Sequence, residues 1–183
     1  MTVAYLPAEQ RVEIIRAYAH RYRIKTFIET GTSAGETTAA LMDDMDKVYT
    51  IELSGELYLA AEQRFASCPN VTCLHGDSAQ VLPTLLGRVT EPVIFWLDGH
   101  YCGDPHGRGD IDTPVVTELE YAVCFPRGSV ILIDDARLFG GMPEHTEEFK
   151  DYPDVAWIQN VASEEGLSFL LEDDIMRLTP DVY

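Results

Sequence analysis

Positive charge is what this chain has least of. It carries 13 lysines and arginines against 31 aspartates and glutamates in 183 residues, a formal net charge of −18. A surface that negative repels phosphate backbones and anionic lipids, so neither a nucleic acid nor a membrane is an expected partner. A small neutral or cationic substrate fits better. Long apolar runs are missing too: none reaches the length of a membrane span, and the N-terminus has no basic-then-apolar signal pattern. Cysteine is sparse. Cys68, Cys73, Cys102 and Cys124 form no C-x-x-C pair and no dense framework, and they read as reduced thiols of a cytoplasmic protein. Repeats, low-complexity tracts and linkers are also lacking, and 46% of the residues are apolar. One domain, 1–183, with a full hydrophobic core is the expectation.

What is present concentrates in one stretch, residues 27–38. A strand-like segment ends in Glu29, turns through Gly31 and Gly35, and opens a helix. Such a βα turn offers a ligand the unpaired N–H groups of a helix N-terminus at the carboxyl edge of a strand. It nearly matches the dinucleotide fingerprint G-x-G-x-x-G, but Ser33 stands where the second glycine lets a pyrophosphate approach. A nucleoside without phosphates suits the loop better, and S-adenosylmethionine is the commonest. An ordinary glycine-containing turn is the plain alternative. The next strand ends in Glu52, 21 residues after Gly31, near the spacing at which a carboxylate accepts from both ribose hydroxyls. A solvated strand-end acid is the other reading of Glu52.

A helical period over 7–22 predicts an N-terminal helix within 1–23, with Val12, Ile15, Ala19 and Tyr22 on its apolar face. Strands and helices then alternate: strand 25–29, helix 34–45, strand 48–52, helix 55–66, strand 71–75, helix 78–86, strand 93–98, helix 114–123, strand 129–135. A helix over 155–165 capped by Asp154, and a hairpin from 168–171 and 175–178, complete the chain. The strands lack clean alternation, which predicts a parallel sheet covered on both faces. The fold class is α/β, doubly wound and Rossmann-like. Ligands in such sheets bind at the carboxyl ends of the strands. Glu29, Glu52, Asp77, Asp98, Asp134 and Asp135 all fall there. Asp77 and Ser78 also have a local use, capping the helix that follows.

With these residues in place the chain resembles the class I S-adenosylmethionine-dependent methyltransferases over almost its whole length. Glu29-Thr-Gly31-Thr-Ser-Ala-Gly35 looks like their first motif, Glu52 their ribose acid, Gly76-Asp77-Ser78 their adenine-side motif, and Leu97-Asp98-Gly99-His100 their fourth motif. The resemblance implies seven strands in the order 3-2-1-4-5-7-6 with the seventh antiparallel, and helices on both faces. It implies cofactor contacts from Glu29, Gly31, Thr32, Ser33, Gly35, Glu52, Asp77, Ser78 and Asp98.

Within the family, Asp98 with Asp134-Asp135 resembles the metal-dependent O-methyltransferases of the macrocin and novobiocin type. Neighbouring strands about 4.8 Å apart would bring these three carboxylates together, and hard oxygen ligands favour Mg²⁺ or Mn²⁺. Pairing of the acids with Arg137 or Arg108 is the alternative. The implied reaction is methyl transfer to a hydroxyl of a small molecule, a sugar or catechol-like acceptor, with Asp98 and His100 catalytic and His100 as general base. An acid usually holds that position in the sugar enzymes, so His100 is a departure.

Residues 99–112, carrying Asp104, His106 and Arg108, and residues 136–152, carrying Phe139, Met142 and His145, are the expected active-site loops. Only about one helix precedes the first strand, which points to an open site or to completion by a homodimer partner. Three other readings compete. A non-catalytic nucleoside-binding module would keep the fold without the chemistry. An NAD-dependent oxidoreductase would need the missing middle glycine. A zinc hydrolase built on His100, Cys102 and His106 would lack a rigid framework.

Overall fold

The computed structural model describes residues 6–100, 113–125 and 128–181. Helix α1 (Ala8–Tyr22) comes first, followed by β1 (Thr26–Thr30), α2 (Glu36–Leu41), β2 (Lys47–Glu52), α3 (Gly55–Phe65), β3 (Val71–His75) and α4 (Ser78–Leu86). Then come β4 (Val93–Leu97), α5 (Val115–Val123), β5 (Val130–Ile133), α6 (Val155–Glu164), β6 (Leu167–Glu172) and β7 (Ile175–Pro180). Two 3₁₀ turns, Ala136–Leu138 and Glu147–Phe149, lie between β5 and α6. The strands form one sheet in the order β3-β2-β1-β4-β5-β7-β6. β1 to β5 pair in parallel, and β7 runs antiparallel to both β5 and β6. This is the doubly wound, Rossmann-like sheet that the sequence predicts, in the strand order the resemblance implies.

The unbroken burial of β1, β4 and β5 has a direct cause. Successive side chains point to opposite faces, and helices cover both. Ile28, Phe95, Leu97, Ile131 and Ile133 face a core built with Leu82 and Leu85 of α4, Leu119 and Ala122 of α5, and Ile158 and Ala162 of α6. Their chain neighbours Phe27, Ile94, Trp96, Val130 and Leu132 face the other core, with Val12, Ile15 and Ala19 of α1 and Leu41 of α2. The periodicity of α1 is realised, Tyr22 being only partly buried. The outer strands differ from the expectation: β6 alternates strictly between half-buried and exposed residues, and β3 is half exposed. Each has a neighbour on one side only.

α2 is much shorter than 34–45. It ends at Leu41, and residues 42–44 continue as a turn. Asp43 and Asp44 stand at its C-terminus, where the helix dipole disfavours acids. Asp44 pairs instead with Arg16 of α1 at 2.7 Å. Other bounds agree within two residues, and Asp154 caps α6 by accepting from the Ala156 N–H at 2.7 Å. Among the described residues no helix is long and apolar enough to cross a membrane.

Candidate active site

The first motif is held from beneath. Glu29 is almost fully buried, and its Oε2 accepts from Thr38 Oγ1 at 2.7 Å and Thr50 Oγ1 at 2.8 Å. One carboxylate thus ties β1 to α2 and β2. Burial pushes its pKa up to about 7 against the pull of those two hydroxyls. Thr32 is buried too, its hydroxyl 2.6 Å from that of Thr50. Glu29 and Thr32 therefore shape the turn from behind.

Gly31 and Gly35 are demanded by neighbours inside the protein. Both have left-handed backbones, φ +82° and +73°. A Cβ on Gly31 would overlap the Asp98 carbonyl oxygen, and one on Gly35 would press on the Phe65 ring. The first of these contacts brings the turn after β1 against the turn after β4. Ser33 adopts φ +49° without being glycine, and its N–H donates to Glu52 Oε2 at 2.8 Å. Glu52 Oε1 accepts from the Ser54 N–H, also at 2.8 Å. Glu52 is thereby fixed at the rim of the motif, and each carboxylate oxygen keeps a lone pair for a further donor. Asp77 caps α4 by accepting from the Ala79 N–H at 2.9 Å, and Ser78 is the first residue of that helix. The geometry fits a nucleoside: a glycine turn, a fixed rim carboxylate one strand over, and a capped helix start beyond it.

At the ends of β4 and β5 the acids converge, with partners that differ from the expectation. Asp98 Oδ1 lies 3.2 Å from His100 Nδ1, and Asp135 Oδ2 lies 3.1 Å from His100 Nε2. The imidazole bridges two carboxylates. Burial alone would lower its pKa, but Asp135 and Asp98 outweigh burial and push it well above the ordinary value. Asp135 stands on a left-handed backbone, φ +55° and ψ 42°. Burial would raise its pKa, yet His100 and Arg137 hold it below the usual carboxylate range. Asp134, nearly buried, forms an ion pair with Arg11 of α1. Burial raises the Asp134 pKa, Asp98 and Asp135 add to that, and Arg11 opposes them.

Among the described residues Asp98, His100 and Asp135 bring one possible ligand atom each to within 4.8 Å of one another. Hard oxygens at that spacing fit a small divalent cation held by Asp98 and Asp135 with His100 beside them. Asp134 does not join this group, because Arg11 holds it. Arg137 pairs with Asp135 Oδ1 at 2.6 Å, the pairing that the sequence offers as the alternative. Asp104, His106, Arg108 and Cys102 lie outside the described residues.

Two contributors have no place in the motif pattern. Arg11 gave no local signal, since it sits on a helix far away in sequence. Glu118 did give one. It occupies a core position in the helical stripe Val115, Glu118, Leu119, Ala122, where an acid is out of place. Its carboxylate is buried behind Gly99, Oε1 lacks a hydrogen-bond partner among the described residues, and a Cβ on Gly99 would lie 3.1 Å from that atom. Burial raises its pKa to about 7, against the hydroxyls of Ser78 and Thr30. The segment 136–152 is expected from the sequence as an active-site loop. Phe139 and Phe149 meet the Tyr152 ring edge-on at 5.2 and 5.9 Å, and Tyr152 lies 6.4 Å from His100. Phe139 and Tyr152 are buried and serve packing.

No family model matches the chain, and no curated protein matches it. Solved structures do. Cofactor-bound Rv0187 from MTB aligns with 100% of this chain and 84% of its own, at 19% identity and a TM-score of 0.66. An O-methyltransferase from Bacillus cereus in complex with SAH covers 96% and 83%, at 16% identity and 0.65. The O-methyltransferase TomG from Streptomyces achromogenes, involved in tomaymycin synthesis and bound to SAM, covers 97% and 82%, at 18% identity and 0.64. At these identities the likeness establishes the fold.

Proposed function

We propose that this chain transfers the methyl group of S-adenosylmethionine to a hydroxyl of a small molecule, with a divalent cation, Mg²⁺ or Mn²⁺, at Asp98 and Asp135. One observation carries the reading. The glycine turn with its rim acid Glu52 and the cluster Asp98–His100–Asp135 are joined through the contact of Gly31 with the Asp98 backbone. Two structures of this fold with bound SAM or SAH carry O-methyltransferase names.

Gly31, Ser33 and Gly35 would cradle the nucleoside, Glu52 would accept from its ribose hydroxyls, and Asp77 and Ser78 would meet the adenine side. The bound cofactor supplies an electrophilic methyl group on a sulfonium. The cation would lower the pKa of an acceptor hydroxyl. His100 handles the proton once one of its two carboxylate contacts opens: after losing a proton to solvent it keeps an N–H on one carboxylate and turns its other nitrogen from the second carboxylate to the acceptor O–H. Asp98 and Asp135 hold the ring in place and stabilise it when it charges. The buried wall around Phe139 and Tyr152 keeps water from one side of the imidazole. A charge of −18 favours a small, neutral or cationic acceptor over polyanions. The family resemblance points to a sugar or catechol-like acceptor, the sparse cysteines to a cytoplasmic setting, and the single helix before β1 to a homodimer that completes the site.

A second reading, methyl transfer without a metal, is favoured by the charge inventory. Arg11, Arg137 and a protonated His100 already offset most of the charge on Asp98, Asp134, Asp135 and Asp174. The experiment is transfer of labelled methyl from S-adenosylmethionine to a panel of sugars and catechols, with EDTA and with added Mg²⁺. Activity lost in EDTA and restored by Mg²⁺ supports the first reading, and full activity in EDTA supports the second. Binding of NAD in preference to S-adenosylhomocysteine would overturn both.

A further inference from the structure

The connection between β6 and β7 is two residues long, Asp173 and Asp174, with φ +56° and +61°. Positive φ at both central positions is the signature of a type I′ hairpin turn, where Asn-Gly and Asp-Gly are the favoured pairs. A second aspartate in place of glycine is therefore a conformational cost with no local gain. Asp174 is nevertheless buried, and its side chain turns away from its own hairpin. Oδ1 accepts from the Arg137 N–H at 2.7 Å, Oδ2 pairs with Arg137 Nη1, and the Asp174 carbonyl accepts from the Ala136 N–H at 2.9 Å. The same Nη1 lies 2.6 Å from Asp135 Oδ1, and Asp135 Oδ2 lies 3.1 Å from His100 Nε2. Asp135 is itself left-handed at φ +55°, a region in which residues other than glycine are uncommon and which aspartate tolerates better than most. Main-chain and side-chain bonds from one hairpin turn thus grip the two residues that follow Asp135.

We propose that Asp174 is a positioning residue for the reacting site. Through Arg137 and the Ala136 N–H, the β6–β7 turn fixes Asp135 in the conformation from which its carboxylate meets His100. The final hairpin is then part of the site's support as well as the edge of the sheet. The inference rests on the methyltransferase reading for its kinetic test, and on the structure alone for its spectroscopic one.

Asp174→Gly separates this role from a turn-forming one. Glycine suits the left-handed position, so the hairpin is kept while the carboxylate is removed. The expected result is a folded protein with a circular dichroism spectrum like the parent's and unchanged affinity for S-adenosylhomocysteine. Its turnover should be roughly 10–100-fold lower, the usual effect of losing the partner that orients a site carboxylate, with little change in KM for S-adenosylmethionine. The ¹⁵N–¹H resonances of the His100 ring should shift. Should Asp174→Gly fail to fold, Asp174→Asn keeps an acceptor for the Arg137 N–H and carries the same comparison. In an Arg137→Gln background, Asp174→Asn should cost less than about 2-fold further, because both act along one path. Unchanged turnover and unchanged His100 resonances in Asp174→Gly would overturn the proposal, as would losses that multiply in the double variant. If the parent transfers no methyl group to any acceptor, the proposed activity falls, and the His100 resonances still decide the role of Asp174.

Discussion

At Gly31 the backbone turns through φ +82° while the Asp98 carbonyl occupies the space of a side chain. Gly31→Ala should therefore destabilise the fold by about 1–3 kcal/mol from backbone strain, and the overlap adds to that by pushing β4's end away. Chemical denaturation measures the first effect, and calorimetry with S-adenosylhomocysteine the accompanying loss of affinity. Parental stability would mean the two turns are not in contact. Glu52 is a gentler case, since its carboxylate organises the loop through the Ser33 and Ser54 N–H groups. Glu52→Ala should weaken S-adenosylhomocysteine binding by on the order of 1–3 kcal/mol, because two ribose hydroxyls lose their acceptor; an unchanged affinity removes Glu52 from the cofactor site. His100 is held between two carboxylates that stabilise its charged form. In cation-free protein its NMR titration midpoint should lie above 6.5, the ordinary imidazole value. His100→Ala should lower turnover by roughly 10²–10⁴-fold without rescue by excess Mg²⁺. Rescue by metal would assign the ring to cation binding instead.

Helix α1 reaches the site from the N-terminal side of the chain, and its contribution rests on Arg11. Removing that guanidinium leaves Asp134, nearly buried at the end of β5, without its ion pair. Arg11→Ala should cost about 1–3 kcal/mol in denaturant unfolding, the range for a hydrogen bond to a charged group. It should also tighten Mn²⁺ binding, since Asp134 becomes an available ligand oxygen beside Asp98. A variant that binds Mn²⁺ no better than the parent would argue that Asp134 cannot reach the cation even when released. The short α2 belongs to the same scale. Acids at its C-terminus and the pairing of Asp44 with Arg16 stop the helix where periodicity alone would have carried it on.

For the molecule as a whole, two fully buried carboxyls set the direction of the pH response. Glu29 and Glu118 both have pKa values raised by burial from 4.5 to about 7. Between those values the folded chain holds protons that the unfolded chain has released. Stability therefore falls as the pH rises through that window, by on the order of 3 kcal/mol for each group at most. The net charge of −18 pushes the same way through self-repulsion, but salt screens that part. Melting temperature at 0.5 M salt should thus still drop between about pH 5 and pH 8. Glu118→Gln should reduce that drop by a few degrees, as expected for a change of about 1 kcal/mol or more in a chain of this size. Equal slopes for the variant and the parent would mean that Glu118 is ionised throughout.

The strand runs, the glycine turn, the rim acid and the row of strand-end carboxylates are local patterns, and the sequence determined them by itself. Apolar residues at every position of β4 and β5, with Phe27 and Ile28 adjacent in β1, call for two covered faces, so a sheet covered on both sides followed from periodicity. Glu118 carried a signal, as an acid inside an apolar helical stripe, but it matches no motif and was not among the expected site residues. Tertiary structure alone decided which charges meet. Arg11 and Asp134 are 123 residues apart and share no periodicity that could pair them. The left-handed backbone of Asp135 and the grip of Asp174 on Arg137 exist only once β7 has docked against β5. Side-chain direction at a strand end depends on what packs around it. Three neighbouring acids could therefore be foreseen in the sequence, while their partition between His100, Arg11 and Arg137 could not.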